Sequence, residues 1–348
     1  MMYTRHLLSR RDSPVEDGKP VQGTWTSAFE KVDLLGIDRP YRFPLPDWIL
    51  DLRLKEWHTF TAWNGEMWLE ATIADFKFFC FLEIVFQNKQ NKEKARIFKT
   101  LPFSTWRMPL SLNDSVIEHT GAGFAFRVHD FAASRLVTLD ISVDSAIERP
   151  GFTAQLEFEL DARKAAPLTV NILISENRSM YIFKSFCGVK GQITFGDGNI
   201  LLSPETTSGL FQDCKGFIPY RTCYSNCRGF GVDAAGRHFG FSLGEHITKK
   251  LNMNNENALW LEGDLTPLPP VLITDAEPGE MFIQDLEGMV DLNFKVIEDA
   301  ETTLDFFITG MRHKNPVGHF NGMLMTRDGK KLPIRNVFGS LERFDFKL

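Results

Sequence analysis

Cysteine is scarce in this chain and basic charge is in no excess, and each of these removes a class of function. The five cysteines are Cys80, Cys187, Cys214, Cys223 and Cys227, an odd number scattered over 348 residues. That pattern fits reduced thiols in a cytoplasmic protein better than a disulfide framework. Lys and Arg total 39 against 45 Asp and Glu, a net charge of −6 with no basic stripe. Such a chain has little to grip a phosphate backbone, so nucleic acid is not an expected partner. Apolar runs stay strand-sized, as in Phe78 to Leu82, and none approaches the ~18 residues of a membrane span. Residues 1–18 carry His6, Arg10, Arg11, Asp12, Glu16 and Asp17 and lack a signal-peptide core. The expected protein therefore neither spans a membrane nor is secreted, and its expected location is cytoplasmic. Nothing in the sequence sets an oligomeric state.

Sharp catalytic signatures are missing too. There is no G-x-S-x-G elbow and no H-E-x-x-H. Gly121-Ala122-Gly123 lacks the strand-to-helix setting of a nucleotide loop. Cys223 and Cys227, with Cys214 upstream and His238 downstream, invite a zinc reading. On one strand their Cα atoms would lie ~13 Å apart, too wide for one metal unless the chain turns. No metal and no cofactor are expected.

What the chain does have is phenylalanine and alternation. Phe numbers 31, against 7 Trp and 5 Tyr. Phe has no polar handle, so it belongs in dry cores or in pockets for apolar ligands. Apolar residues recur at every second position in Val137–Val143, Leu168–Ile174 and Val290–Val296. Each stretch presents one dry face and one wet face, the signature of antiparallel strands over a core. Asn and Thr residues such as Thr169 and Asn171 are assigned to the wet face. Turn signals separate the strands at Asp197-Gly198, Asp233 to Gly236 and Asp328-Gly329, and polar Asn88 to Lys94 reads as a hairpin tip. The prediction is an all-β protein of sandwiches or barrels. Its length suggests about two domains at ~150 residues each. The expected division is an extension over 1–18, a first domain over 19–187 and a second over 188–348, with the join at Gly188-Val189-Lys190-Gly191.

Three stretches carry chemistry-bearing side chains. In Asn254 to Gly263, alternation puts Asn254, Glu256, Ala258 and Trp260 on one face, with Asn257 beside them. A carboxylate beside amides and an indole forms either a polar spot within a ligand-facing surface or a solvated surface strand. If buried, Glu256 would hold its proton to higher pH and serve as a general acid or base. In Tyr220 to Asn226, the side chains of Tyr220, Tyr224 and Asn226 share a face. They either line a polar pocket or plug the end of a barrel. Glu56 and His58 also share a face.

Several segments together resemble a known family. They are Arg53-Leu54-Lys55-Glu56-Trp57, Ala71-Thr72-Ile73-Ala74-Asp75, Lys215-Gly216 to Arg221-Thr222, and Gly240 to Gly244 leading into Asn255-Glu256-Asn257-Ala258-Leu259-Trp260. With Gly318 to Gly322 and Gly339 to Glu342, they resemble the family termed domain of unknown function 2804 over most of the chain. That family is similar to a calycin-like group that includes carotenoid hydratases and tocopherol cyclases. The resemblance implies two lipocalin-like antiparallel β-barrels in one chain and an apolar, lipid or isoprenoid-like ligand. Binding of such a ligand in a barrel or in the cleft between barrels is the expected function, with Tyr220, Tyr224, Asn226, Asn254, Asn257 and Trp260 as ligand-binding residues. The alternative is a cofactor-independent hydratase, cyclase or isomerase with Glu256 as catalytic proton donor. A structural or interaction protein without ligand is the third reading.

Overall fold

The computed structural model describes residues 3–131, 134–147, 149–245, 255–305 and 310–347. One α-helix, Asp47–Arg53, and one 3-10 turn, Leu34–Gly36, are the helices among them; the rest of the regular structure is strand. No helix among the described residues is long and apolar enough to cross a membrane.

The strands form a 13-stranded and an 11-stranded sheet of one shared connectivity, beside one small two-stranded sheet. The first large sheet opens with a four-strand meander, Lys55–Trp63, Met67–Asp75, Phe79–Asn88 and Glu93–Pro102. A second meander follows, from Val116–Gly121 to Arg178–Phe195, and Ser208–Gly216 returns to pair antiparallel with Lys55–Trp63. The second large sheet repeats the scheme. Its opening meander is Arg221–Val232, His238–Glu245, Ala258–Leu261 and Asp264–Pro267, and its last strand, Lys331–Lys347, returns to pair with Arg221–Val232. Pairing the last strand to the first joins the two meanders of each large sheet into one long sheet that curls toward a barrel, with Glu93–Pro102 and Val116–Gly121 left as the ends of the first and Asp264–Pro267 and Leu272–Asp275 as those of the second. The glycine turns do what their sequence promises: Gly236 and Gly329 take φ of +79° and +78° at hairpin tips. Gly191 and Gly322 sit inside strands with φ of +130° and +131°. A side chain at 191 would place Cβ 2.0 Å from the Gln155 carbonyl oxygen, so only glycine allows that kink.

Three apolar cores result. One fills the first barrel, with Phe60, Leu69, Ile84, Val128, Phe158 and Phe211. Another fills the second barrel, with Phe241, Leu259, Leu292, Phe320 and Leu341. The third lies between the barrels and joins Trp57, Trp68, Phe81 and Phe186 of the first sheet to Phe230, Trp260, Phe338 and Phe344 of the second. Peripheral strands therefore alternate, as Leu136–Val143 does, whereas Lys55–Trp63, Met67–Asp75 and Ser208–Gly216 are buried almost throughout. The latter have barrel interior on one side and partner barrel on the other.

Two sequence expectations change. The join expected at 188 lies inside the unbroken strand Arg178–Phe195, and Ser208–Gly216 still belongs to the first sheet. The chain crosses between sheets at residues 217–220, where buried Phe217 and Ile218 and the ring of Pro219 interrupt the pairing. Thr169 and Asn171, assigned to a wet face, are buried beneath the N-terminal segment, bonding to the carbonyls of Ser27, Pro14 and Val21.

Candidate functional site

The interface between the barrels is not purely apolar. Along Arg221–Val232, the alternate residues Tyr224, Asn226, Arg228 and Phe230 turn toward the first barrel, while Cys227 faces the second barrel's interior. The facing strands answer with Glu70, Glu83 and Lys184, each alone in an otherwise apolar stretch, and Lys331–Lys347 adds Ser340 and Glu342. All these charges are buried, which is tolerable only when they pair.

They do pair. Arg228 donates to Glu342, reaches Glu70 at 3.6 Å and approaches Thr61 Oγ1 at 3.5 Å. Glu70 also accepts from Asn315 Nδ2 at 2.8 Å and Ser340 Oγ at 3.0 Å. Burial pushes the Glu70 carboxyl upward, with Arg228 opposing and Glu342 adding to the rise. His313 lies 2.7 Å from Glu83 through Nδ1 and 3.6 Å from Glu342 through Nε2, and its ring stacks on Phe344 at 3.7 Å. Burial works against its imidazolium, but Glu83 and Glu342 outweigh that and raise it to about 9. Across the same interface Lys184 Nζ sits 2.7 Å from Glu256 and donates to Ser242 Oγ at 2.8 Å. Ser242 in turn reaches Asn226 Oδ1 at 3.4 Å.

One crevice opens among these groups. Trp57, Phe76, Phe81, Phe344 and Phe346 supply its apolar walls, and Thr59, Thr72, Tyr224 and Glu342 its polar edge. Tyr224 stacks on Phe344 at 5.1 Å. Burial, then the nearby Glu342, drive its phenol well above the ordinary 10, so Tyr224 stays protonated and can donate. The crevice is nearly closed, with a cavity of about 10 Å³.

The interface thus gathers Glu256, Tyr224, Asn226 and Trp260. Trp260 is fully buried and donates its indole N–H to the Ala166 carbonyl at 3.1 Å. Asn257 lies instead in a backbone clamp, accepting from Gly244 N–H at 2.7 Å and donating to the Pro269 carbonyl at 2.9 Å. Tyr220 is 44% exposed on the crossing segment. Asn254 lies outside the described residues. Glu256 is 5% exposed but is not among the residues lining the crevice. Reading the sequence by motif missed Arg228, Glu342, Glu70, Glu83, Lys184 and His313. For most of these, the available signal was a single charge inside a strand-length apolar run, such as Glu83 in Phe79–Phe86.

The chain has an all-β fold of two curled antiparallel barrels of calycin-like type, with a paired polar cluster sealed between them. The chain is a member of the family described as domain of unknown function (DUF2804), which it matches over residues 15–347. Among solved structures it is similar to CghA in complex with Sch210972, at 12% identity and TM-score 0.54, covering 97% of both chains. CghA without that molecule gives 11% and 0.51, covering 84% of this chain and 88% of that one. Kievitone hydratase from Nectria haematococca gives 10% and 0.50 over 83% and 88%. At such identities the likeness extends to the fold and no further. No curated protein matches the sequence.

Proposed function

We propose that this chain binds an apolar small molecule in the crevice between its two barrels. One observation carries the reading: a protonated phenol and a carboxylate, Tyr224 and Glu342, meet five aromatic side chains at a single buried spot. An apolar surround with a few convergent polar groups is how ligand sites are built. Burying Arg228, Glu70, Glu342, Glu83 and His313 together contributes little stability over apolar packing, and such a buried charged cluster fits a working site. The room for about one water means that a ligand enters by parting the rings, with Phe344 leaving its stack on His313. A fold neighbour crystallised with a small molecule supports the reading by analogy. Thermal unfolding with a panel of isoprenoid alcohols tests it. Farnesol or a shorter homologue should raise the wild-type Tm, and Thr72→Trp, which fills the crevice, should abolish the rise. An equal rise in Thr72→Trp would place the ligand elsewhere.

A second reading makes the crevice a cofactor-independent active site for hydration, cyclisation or isomerisation. Its favouring observation is the Tyr224 hydroxyl among aromatic walls, a buried hydrogen-bond donor that keeps its proton and can steady charge developing on a substrate oxygen. Tyr224 then donates a hydrogen bond to a substrate oxygen as negative charge develops there and keeps its own proton, while Glu256, held by Lys184, and Asn226 organise the edge through Ser242. Tyr224→Phe should abolish turnover and leave affinity within a few fold. Turnover would be read by mass spectrometry, as a product heavier by one water or an isomer of altered retention. Unchanged turnover in Tyr224→Phe would end this reading.

A further inference from the structure

The interior of the first barrel holds a second polar constellation, remote from the crevice in chemistry and in strand face. On Lys55–Trp63, alternate residues diverge: Trp57 and Thr59 edge the crevice, while His58 turns inward beside Phe60. On Ser208–Gly216, Asp213 likewise points inward with Phe211. His58 Nε2 lies 3.2 Å from Asp213, both essentially without solvent exposure, and the His58 ring meets Phe211 edge-on at 5.3 Å. The Tyr181 hydroxyl adjoins Asp213. Asp130, 2% exposed, completes the group. One of its oxygens accepts from Ser115 Oγ at 3.0 Å, whereas Oδ1 is buried with no hydrogen-bond partner among the described residues.

That carboxylate forms part of the wall of a real space. A cavity of about 510 Å³ opens at the mouth of the first barrel, with Asp130 in its lining. Phe29, Phe183, Phe211, Val137 and Leu160 supply apolar wall, and Arg10, Glu30 and Arg135 also line it. The volume falls within the range of small-molecule pockets. A buried polar oxygen left unpaired costs on the order of what a lost hydrogen bond costs, and native interiors rarely keep one. The Tyr181 hydroxyl and His58 Nδ1 also lack partners among the described residues, but the unpaired group that lines the cavity is an acceptor, Asp130 Oδ1, backed by a second carboxylate, Asp213.

We propose that the first barrel is a ligand site in its own right, taking an apolar molecule that ends in a hydrogen-bond donor, an amine or an alcohol, which caps Asp130 Oδ1. The tail lies against Phe183, Phe211 and Phe29, and the donor head points inward. Burial, opposed by His58 and Ser115 and reinforced by Asp213, pushes the Asp130 carboxyl up to about 6. A donor or ammonium at Oδ1 supplies the compensation that the protein itself leaves out. An acidic head at that spot would face Asp130 and be repelled, since the two arginines of the lining, Arg10 and Arg135, are already paired with Glu30 and Asp161. This site is independent of the crevice reading, and either can fail alone.

The test uses full-length protein labelled with 5-fluorotryptophan and titrated with octylamine, octanol and octanoate, which share one tail. Trp25 packs on the cavity residue Phe29 at 4.9 Å, and Trp57 edges the crevice, so their ¹⁹F resonances separate the two sites. Octylamine and octanol should shift Trp25 saturably and leave Trp57 in place, with octanoate at least tenfold weaker. Asp130→Asn should erase the preference for amine over acid by at least tenfold. Octanoate binding as tightly as octylamine, or ligand shifts confined to Trp57, overturns the proposal. Both readouts are available in the wild-type protein, so the proposal stays falsifiable even if Asp130→Asn does not fold.

Discussion

His313 shows how single residues at the interface are tuned. Its ring is stacked on Phe344 and clasped by Glu83 and Glu342, and those carboxylates hold it protonated up to about 9 against an ordinary value of 6.5. A raised histidine adds stability that is whole below pH 6.5 and vanishes as pH climbs through 9. Lys55, buried and pushed down to about 7, titrates over a neighbouring range with the opposite sign. The comparison must therefore be with a variant. The unfolding free energy of wild type minus that of His313→Gln should shrink by about 3 kcal/mol between pH 6.5 and 9.5, read from urea curves. A flat difference would mean that His313 is neutral in the folded protein. Glu83, Glu70 and Lys184 were legible in the sequence only as interruptions of apolar runs. Their partners come from the other sheet or from distant strands, and no local pattern announces that.

Strand character was written plainly where one face meets water. Val137, Leu139, Ile141 and Val143 are buried and their neighbours are not, as alternation requires. The pattern dissolves in Phe79–Asn88 and Ser208–Gly216, which are covered on both faces, so those strands read only as apolar stretches. Hairpins were legible from Asp-Gly signals. The return pairings were not: Lys55–Trp63 meets Ser208–Gly216 and Arg221–Val232 meets Lys331–Lys347 across most of a barrel's sequence. The expected join at 188 failed for a related reason. Gly188 and Gly191 look like a linker, but Gly191 is a kink within a strand, with φ of +130° and no space for Cβ. Gly191→Ala should cost about 2 kcal/mol or more, because the clash is with backbone that cannot rotate away. A melt within a degree of wild type would show that the strand bends without it.

The molecule as a whole is two copies of one connectivity pressed face to face. The aromatic contacts that join them include Trp68 with Phe230 at 5.6 Å and with Phe338 at 5.7 Å, and Phe186 stacked on Phe230 at 6.2 Å. With such a core between them, the barrels should unfold in one transition. Trp68→Ala should remove about 3–5 kcal/mol and split the melt into two steps, visible by calorimetry. A single step of unchanged enthalpy would mean that the interface does not couple the barrels. The same interface holds the crevice in which Tyr224 and Glu342 meet five aromatic side chains. The most direct test of its role is the ¹⁹F spectrum of the 5-fluorotryptophan protein titrated with farnesol and its shorter homologues. The Trp57 resonance should move and saturate with at least one of them, and the movement should be lost in Thr72→Trp. If Trp57 stays fixed across the whole series, the crevice is packing and not a binding site.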